Sequence, residues 1–297
     1  MTTPPPPSVF DRRRLQHSFG RAAAGYAEVA VLQRETESRL LEQLEVLEAK
    51  RPARVLDVGS GPGRASGVMK GRWPKAEVIA LDIALPMLRQ VPRHTRFWRP
   101  VKRVCAEAAR LPFADNSFDL IFSNLCLQWV PDLPAALAEF RRVLREDGLL
   151  LFSSFGPDTL IELREAYLQA GERQPPLSPF AAIQQIGDAM IAAGFRNPVL
   201  DRDQFTLTYA EVMPLLRELR AIGAGDARVQ RPRGLGGKSR QARMIAAYET
   251  QRQDGRLPST WEVITAMAWA PGPGTPRREG NVDVASFPGD RIPRRGR

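Results

Sequence analysis

The chain has 297 residues, 43% of them hydrophobic, and a formal charge of +10 at neutral pH. That length builds one large core, or one core with an inserted lobe. Apolar runs such as Leu149 to Phe152 fall far short of the roughly 20 residues that a membrane-spanning helix needs, and Met1 to Ser8 lacks a cationic flank with an apolar stretch, so a cytoplasmic protein without membrane association is expected.

Two cysteines, Cys105 and Cys126, stand outside any CxxC or Cys/His spacing, and the two histidines, His17 and His94, are far apart. No metal and no Ser-His-Asp triad is therefore expected. Lysine occurs only at positions 50, 70, 75, 102 and 238, so the basic charge is almost all arginine. Composition leaves two readings open: a solvated basic surface, or an acidic partner. Without zinc-finger spacing or an RNA-binding aromatic signature, nucleic acid is not the expected partner.

In chain order, residues 1–9 read as a Pro-rich arm and residues 10–51 as a helical preface or lid, with Ala30, Leu40, Leu41, Leu44 and Leu47 near helical spacing. Strands and helices then alternate. The strands are Arg54–Val58, Glu77–Ile83, Val101–Ala106, Phe118–Ser123 and Leu149–Phe155; the helices are Ala65–Arg72, one starting at Pro86, and Leu133–Leu144. Asp147-Gly148 reads as a turn into the fifth strand. Near-continuous apolar strands alternating with helices predict an α/β fold: a doubly wound, mostly parallel sheet covered on both faces. Helices follow at Asp158–Ala170 and Phe180–Ala193, then a sixth strand at Asn197–Arg202. A helical insertion at 205–257, with helices Tyr209–Ala221 and Arg240–Gln251, precedes a last strand Trp261–Trp269, within 258–271. That makes a seven-stranded sheet, with 52–204 as its main body and 272–297 as a Pro/Arg-rich tail.

The strongest chemical signal is Asp57-Val58-Gly59-Ser60-Gly61-Pro62-Gly63, between a strand and a helix. Glycine permits positive φ and close approach of a ligand to the backbone. The turn is expected to present amide N–H groups at a helix N-terminus, where a ligand carboxylate is favoured. A dinucleotide fingerprint fails, because Arg64 or Ser66 stands where its last glycine belongs. Asp82, at the end of the second strand, is placed to accept hydrogen bonds from both hydroxyls of a ribose.

Asp57 to Gly63 resembles motif I of the class I S-adenosylmethionine-dependent methyltransferases, and Asp82, with Ile83 beside it, resembles their ribose-binding acid. Ala106 to Phe113 is similar to their adenine-side segment, which implies Glu107 and Ala108 at the adenine, with Glu107 where Asp is usual. Asn124-Leu125 resembles the strand end that lines the donor pocket. Phe19 to Ala23 with Tyr26 and Gln33, Ser123 to Trp129, Phe155 to Leu160, Leu219 to Ala224, Gly234 to Gly237 and Ala268 to Pro271 are similar to the malonyl-acyl carrier protein O-methyltransferases of biotin synthesis. The likeness covers roughly residues 9–271, with departures at Asp226 and Met267.

The resemblance implies S-adenosylmethionine as methyl donor and a malonyl-acyl carrier protein as partner; a monomer is expected. A malonyl carboxylate is ionised at neutral pH and needs no general base. It needs a group to hold it, and Arg220, Tyr26 and Trp129 are the candidates; for each, ordinary surface or packing roles remain open. Arg228, Arg231, Arg233, Arg240 and Arg243 are expected to face the acidic carrier. Two alternatives stand: another small-molecule methyltransferase (of a quinone precursor) or a related arginine hydroxylase, and a non-catalytic nucleic-acid-associated scaffold.

Overall fold

The computed structural model describes residues 11–47, 51–95, 97–173, 175–222, 237–272, 277–279 and 282–284. The arm 1–9, Arg228, Arg231, Arg233, Asp226 and most of the tail lie outside them.

Three helices precede the sheet: α1 (Arg12–Ala22), α2 (Tyr26–Val29) and α3 (Val31–Glu42). Asp11 caps α1, accepting from the amides of Arg13 and Arg14, which satisfies donors that a helix start leaves open. The alternating body then runs β1 (Arg54–Val58), α4 (Arg64–Arg72), β2 (Glu77–Asp82), α5 (Leu85–Leu88), β3 (Lys102–Cys105), β4 (Phe118–Ser123), α6 (Leu133–Val143), β5 (Leu144–Phe155), α7 (Ile161–Gln169), α8 (Ile183–Ala192) and β6 (Arg196–Tyr209). Helices α9 (Val212–Ala221) and α10 (Gly237–Glu249) lead to β7 (Leu257–Trp269), and a short pair follows, β8 (Arg277–Glu279) and β9 (Val282–Val284).

The seven strands are ordered β3-β2-β1-β4-β5-β7-β6. The first five run parallel, and β7 lies antiparallel between β5 and β6. The strand order turns at β1, so the chain on either side of it leaves a crevice at the carboxyl ends of β1 and β4, where open α/β sheets bind ligands.

Strand periodicity sorts the core. Leu56, Val58, Ile79, Leu81 and Ile121 face one way, onto α6 and α8. Val55, Val78, Ala80, Leu120 and Phe122 face the other way, onto α3 and α4. A third cluster joins Phe155 and Val263, near the sheet's end, to α7, α9 and α10.

Two readings are corrected. Asp147-Gly148 is a bulge inside β5, not a turn before it: pairing jumps from Phe118↔Leu144 to Leu120↔Leu149, and Asp147 takes φ 55°. The end of β7 holds the bulge, since Asp147 N–H donates to Ala270 O at 3.1 Å and Ala270 N–H donates to Gly148 O at 2.8 Å. Second, β6 continues through Phe205 to Tyr209, residues read as insertion, because its partner β7 begins as early as Leu257. Phe205, Leu207 and Tyr209 pack on the third cluster.

Candidate active site

A cavity of about 420 Å³ opens at the carboxyl ends of β1, β2 and β4 beneath α1. Gly59, Gly61, Asp82 and Ile83 form part of its wall, with Asn124 and Leu125 from the end of β4. Glu107, Ala108 and Trp129 close one side; Tyr26 and Gln33 belong both to this cavity and to an adjoining recess of about 60 Å³. The recess holds Asp57, Arg34, Arg64 and His94.

The glycine turn departs from expectation in one respect. Its amides are engaged within the fold: Gly59 and Ser60 N–H both donate to Leu81 O (2.8 and 3.0 Å), Gly61 N–H donates to Asp82 Oδ2 (2.9 Å) and Gly63 N–H to Ser60 O (2.9 Å). They are not a free cradle for a carboxylate. The end of β2 lies beside the turn, and Leu81 O and the Asp82 side chain take three of those four donors, while Ser60 O takes the fourth. What the turn offers a ligand is space. Gly61 has φ +53°, and a Cβ built there meets nothing within 4 Å. Gly59, at φ +68°, is instead covered by the Cys126 side chain, and Gly63, at φ +86°, by Val91; neither site has room for a Cβ, and Gly63 is not part of the cavity wall.

Asp82 is buried and accepts from Gly61 N–H and, through Oδ1, from Ala84 N–H at 2.7 Å. A carboxylate has about four lone-pair sites, so acceptor capacity remains. Burial pushes it up to about 6, against the lowering effect of the backbone amides of Ala84, Gly61 and Ile83. Asp57 lies on the α4 face, receives Ser66 Oγ–H at 2.5 Å, and is pushed up to about 7, first by burial and then by Glu37 and Asp82. Asn124 is clamped: its Nδ2 donates to Gln33 O (3.0 Å) and its Oδ1 accepts from Ser153 Oγ (2.8 Å). Leu125, at φ 45°, is held by donation to Ser153 Oγ and O.

Burial, then the charges of Asp82 and Glu37, hold the Tyr26 phenol far above its ordinary range, so its O–H remains a donor. Cys126 is pushed up to about 12 by burial and by Asp82, and stays a thiol. Two buried oxygens on the walls, Ser60 Oγ in the recess and Gln128 Oε1 in the cavity, have no protein partner. Unpaired buried acceptors of this kind favour a ligand that brings hydrogen-bond donors.

Helix α1 forms the roof. Arg12 pairs with Glu107, Gln16 donates to Ile83 O at 3.3 Å, and the Phe19 ring meets Trp129 edge-on, with centroids 5.7 Å apart. Glu107 is thus tied to the roof as well as facing the cavity.

A methyltransferase domain model matches residues 56–152, which run from within β1 to within β5 and include the turn. The chain is 53% identical to the malonyl-[acyl-carrier protein] O-methyltransferase of Xylella fastidiosa, over 97% of this chain and 98% of that protein. The chain belongs to this family. The same-named protein of Gallionella capsiferriformans is 44% identical over 94% of this chain and 98% of its own length. Among solved structures, the YcgJ protein of Bacillus subtilis superposes with a TM-score of 0.56 at 18% identity, covering 79% of this chain and 99% of that one, a likeness of fold. The chain is a methyltransferase of the Rossmann-like, class I architecture.

Within this family member the predicted residues do not all converge. Arg220 is exposed and lines a separate cavity of about 200 Å³ with Arg240, behind the end of α9. From α9's end it is Ile222 that reaches the main cavity. Met267 sits within β7, opposite Leu151 and Val199, and packs on the α3–α4 side of the sheet. Sequence reasoning passed over Arg12, Leu15 and Gln16 of the roof, although Leu15 and Phe19 stand at i and i+4 on one helix face. It also passed over Ile222 and the packing of Cys126 on Gly59, which no local pattern encodes.

Proposed function

We propose that this methyltransferase moves the methyl group of S-adenosylmethionine to the free carboxylate of a malonyl thioester on acyl carrier protein, giving the methyl ester used in biotin precursor synthesis. The observation that carries the reading is the open floor at Gly61 beside the partly satisfied Asp82, in a relative of named malonyl-[acyl-carrier protein] O-methyltransferases.

When bound, the donor supplies a methyl group already activated on a sulfonium. Asp82 would accept from its ribose hydroxyls, with Ile83, Glu107 and Ala108 flanking the base. The carbonyls of Gly59 and Gly61 accept no backbone amide among the described residues and suit the donor's ammonium, while Asp57 and Gln33 hold the turn side of the recess. Asn124 and Leu125, fixed by Ser153, set the wall where methyl donor and acceptor meet.

The chain's work is alignment and exclusion of water. The acceptor oxygen is already ionised, so no side chain has to remove a proton. Tyr26, held protonated, donates to the carboxylate without competing as a nucleophile, and Phe19 with Trp129 keeps the roof apolar. Esterification removes the charge, and the product can then enter apolar elongation pockets that reject an anion.

The test is transfer from labelled donor to malonyl carrier protein, with acetyl carrier protein as control. Label is expected on the malonyl form alone; label on both or neither would remove the assigned substrate.

A further inference from the structure

The cavity behind α9 is separate from the donor site. Its walls are Arg220, Arg240, Gln241, Tyr167, Leu216 and Pro176. These residues come mainly from α7, α9 and α10 and include two arginines; the Gln241 amide donates to Met213 Sδ at 3.4 Å. Arg240 is oriented by an ion pair from its Nε to Glu172 at 2.5 Å, which leaves the other N–H groups of its planar fork for a ligand. Arg220 has no carboxylate partner among the described residues. On α10, three residues on from Arg240, Arg243 is engaged, donating to Ala170 O and to Ser239 Oγ. Among the described residues, two arginines against the one carboxylate of Glu172 leave the cavity with net positive character.

From this geometry we propose that the Arg220–Arg240 cavity binds a phosphodiester: that of the prosthetic arm which carries the malonyl thioester. The proposal rests on the carrier reading and goes further, since it moves Arg220 from the reacting carboxylate to the distant end of the substrate. The arm's phosphodiester lies at the end remote from the thioester. Ile222 borders the donor cavity and Arg220, two residues earlier, the second one, so both cavities reach the C-terminal end of α9, one for each end of the arm. A bidentate arginine fork matches two phosphate oxygens better than it matches a carboxylate that must leave one oxygen open to attack.

The experiment measures methyl transfer to malonyl-phosphopantetheine and to malonyl-pantetheine, which differ only in the phosphate, using the full chain and the variants Arg220→Gln, Arg240→Gln and the double. Loss of charge-assisted contacts is expected to raise KM for the phosphorylated substrate roughly ten- to a hundredfold in the double variant. KM for malonyl-pantetheine, kcat and affinity for S-adenosylhomocysteine should stay within about twofold, and Arg220→Lys should recover part of the loss. Equal wild-type KM values for the two substrates, or a rise for both in the variants, overturns the proposal. Titration with inorganic phosphate separates its failure from that of the parent reading. Phosphate binding lost in the double variant, with no methyl transfer to either thioester, leaves an anion site but removes the carrier's arm as its occupant, and so also overturns the proposal.

Discussion

Asp82 carries the clearest consequence at the scale of single residues. Burial raises Asp82 and Asp57 to about 6 and about 7 from the ordinary 3.8. The folded chain therefore binds these protons more tightly than the unfolded chain, and stability of the ligand-free protein falls as pH rises from about 4 through about 7. If Asp82 holds the ribose as proposed, affinity for S-adenosylhomocysteine should run the other way, because an ionised Asp82 is the better acceptor for hydroxyls, and it should weaken as pH drops below about 6. Calorimetric titration across that range should show this slope, and Asp82→Asn should flatten it while lowering affinity about ten- to a hundredfold. The glycines separate by what surrounds them. Gly59→Ala forces a Cβ into Cys126 at φ +68° and should cost about 2–4 kcal/mol of stability. Gly61→Ala carries only the positive-φ strain, about 1–2 kcal/mol, yet should weaken product binding more than tenfold by filling the floor. Thermal melts beside the same titrations distinguish the two. The sequence displayed Asp82 and the turn because each is a local pattern. It did not display that the turn's amides are already bonded, since their acceptors, Leu81 O and Asp82, arrive from another strand.

Among the elements, α1 covers the cavity, with Arg12, Leu15 and Phe19 in its wall. Leu15 is buried, and with Phe19 it turns the apolar face of α1 toward Trp129. The Arg12–Glu107 pair is exposed on the Arg12 side, and such pairs contribute under about 1 kcal/mol. Apolar closure should therefore dominate. Leu15→Ala combined with Phe19→Ala is expected to speed dissociation of S-adenosylhomocysteine about tenfold or more, whereas Arg12→Ala should change it less than about threefold. Stopped-flow displacement reads both; equal effects would mean that the ion pair, and not the apolar face, holds the roof. The parallel strands were legible because burial on both faces writes them as continuous apolar runs. The start of β5 and the end of β6 were not, since Asp147-Gly148 looks like a turn and becomes a bulge only when β7 pairs with it. The tertiary partner, distant in sequence, sets both boundaries.

On the whole-molecule scale, the charge of +10 finds a use if the acceptor arrives on an acidic carrier. Long-range attraction acts on encounter and is screened beyond a Debye length of about 10 Å at 0.1 M salt. Asp82, the acid in the wall of the donor cavity, is by contrast buried, and salt reaches it weakly. Raising salt from about 0.05 M to about 0.5 M should then raise KM for malonyl carrier protein roughly tenfold, leaving KM for malonyl-pantetheine and affinity for S-adenosylhomocysteine nearly unchanged. Steady-state kinetics at several ionic strengths with both acceptors gives the comparison. A parallel rise for the small thioester would locate the salt effect in the reacting site. A flat response for both would make the arginine-rich surface a matter of solvation, and carrier recognition would then rest on the arm alone.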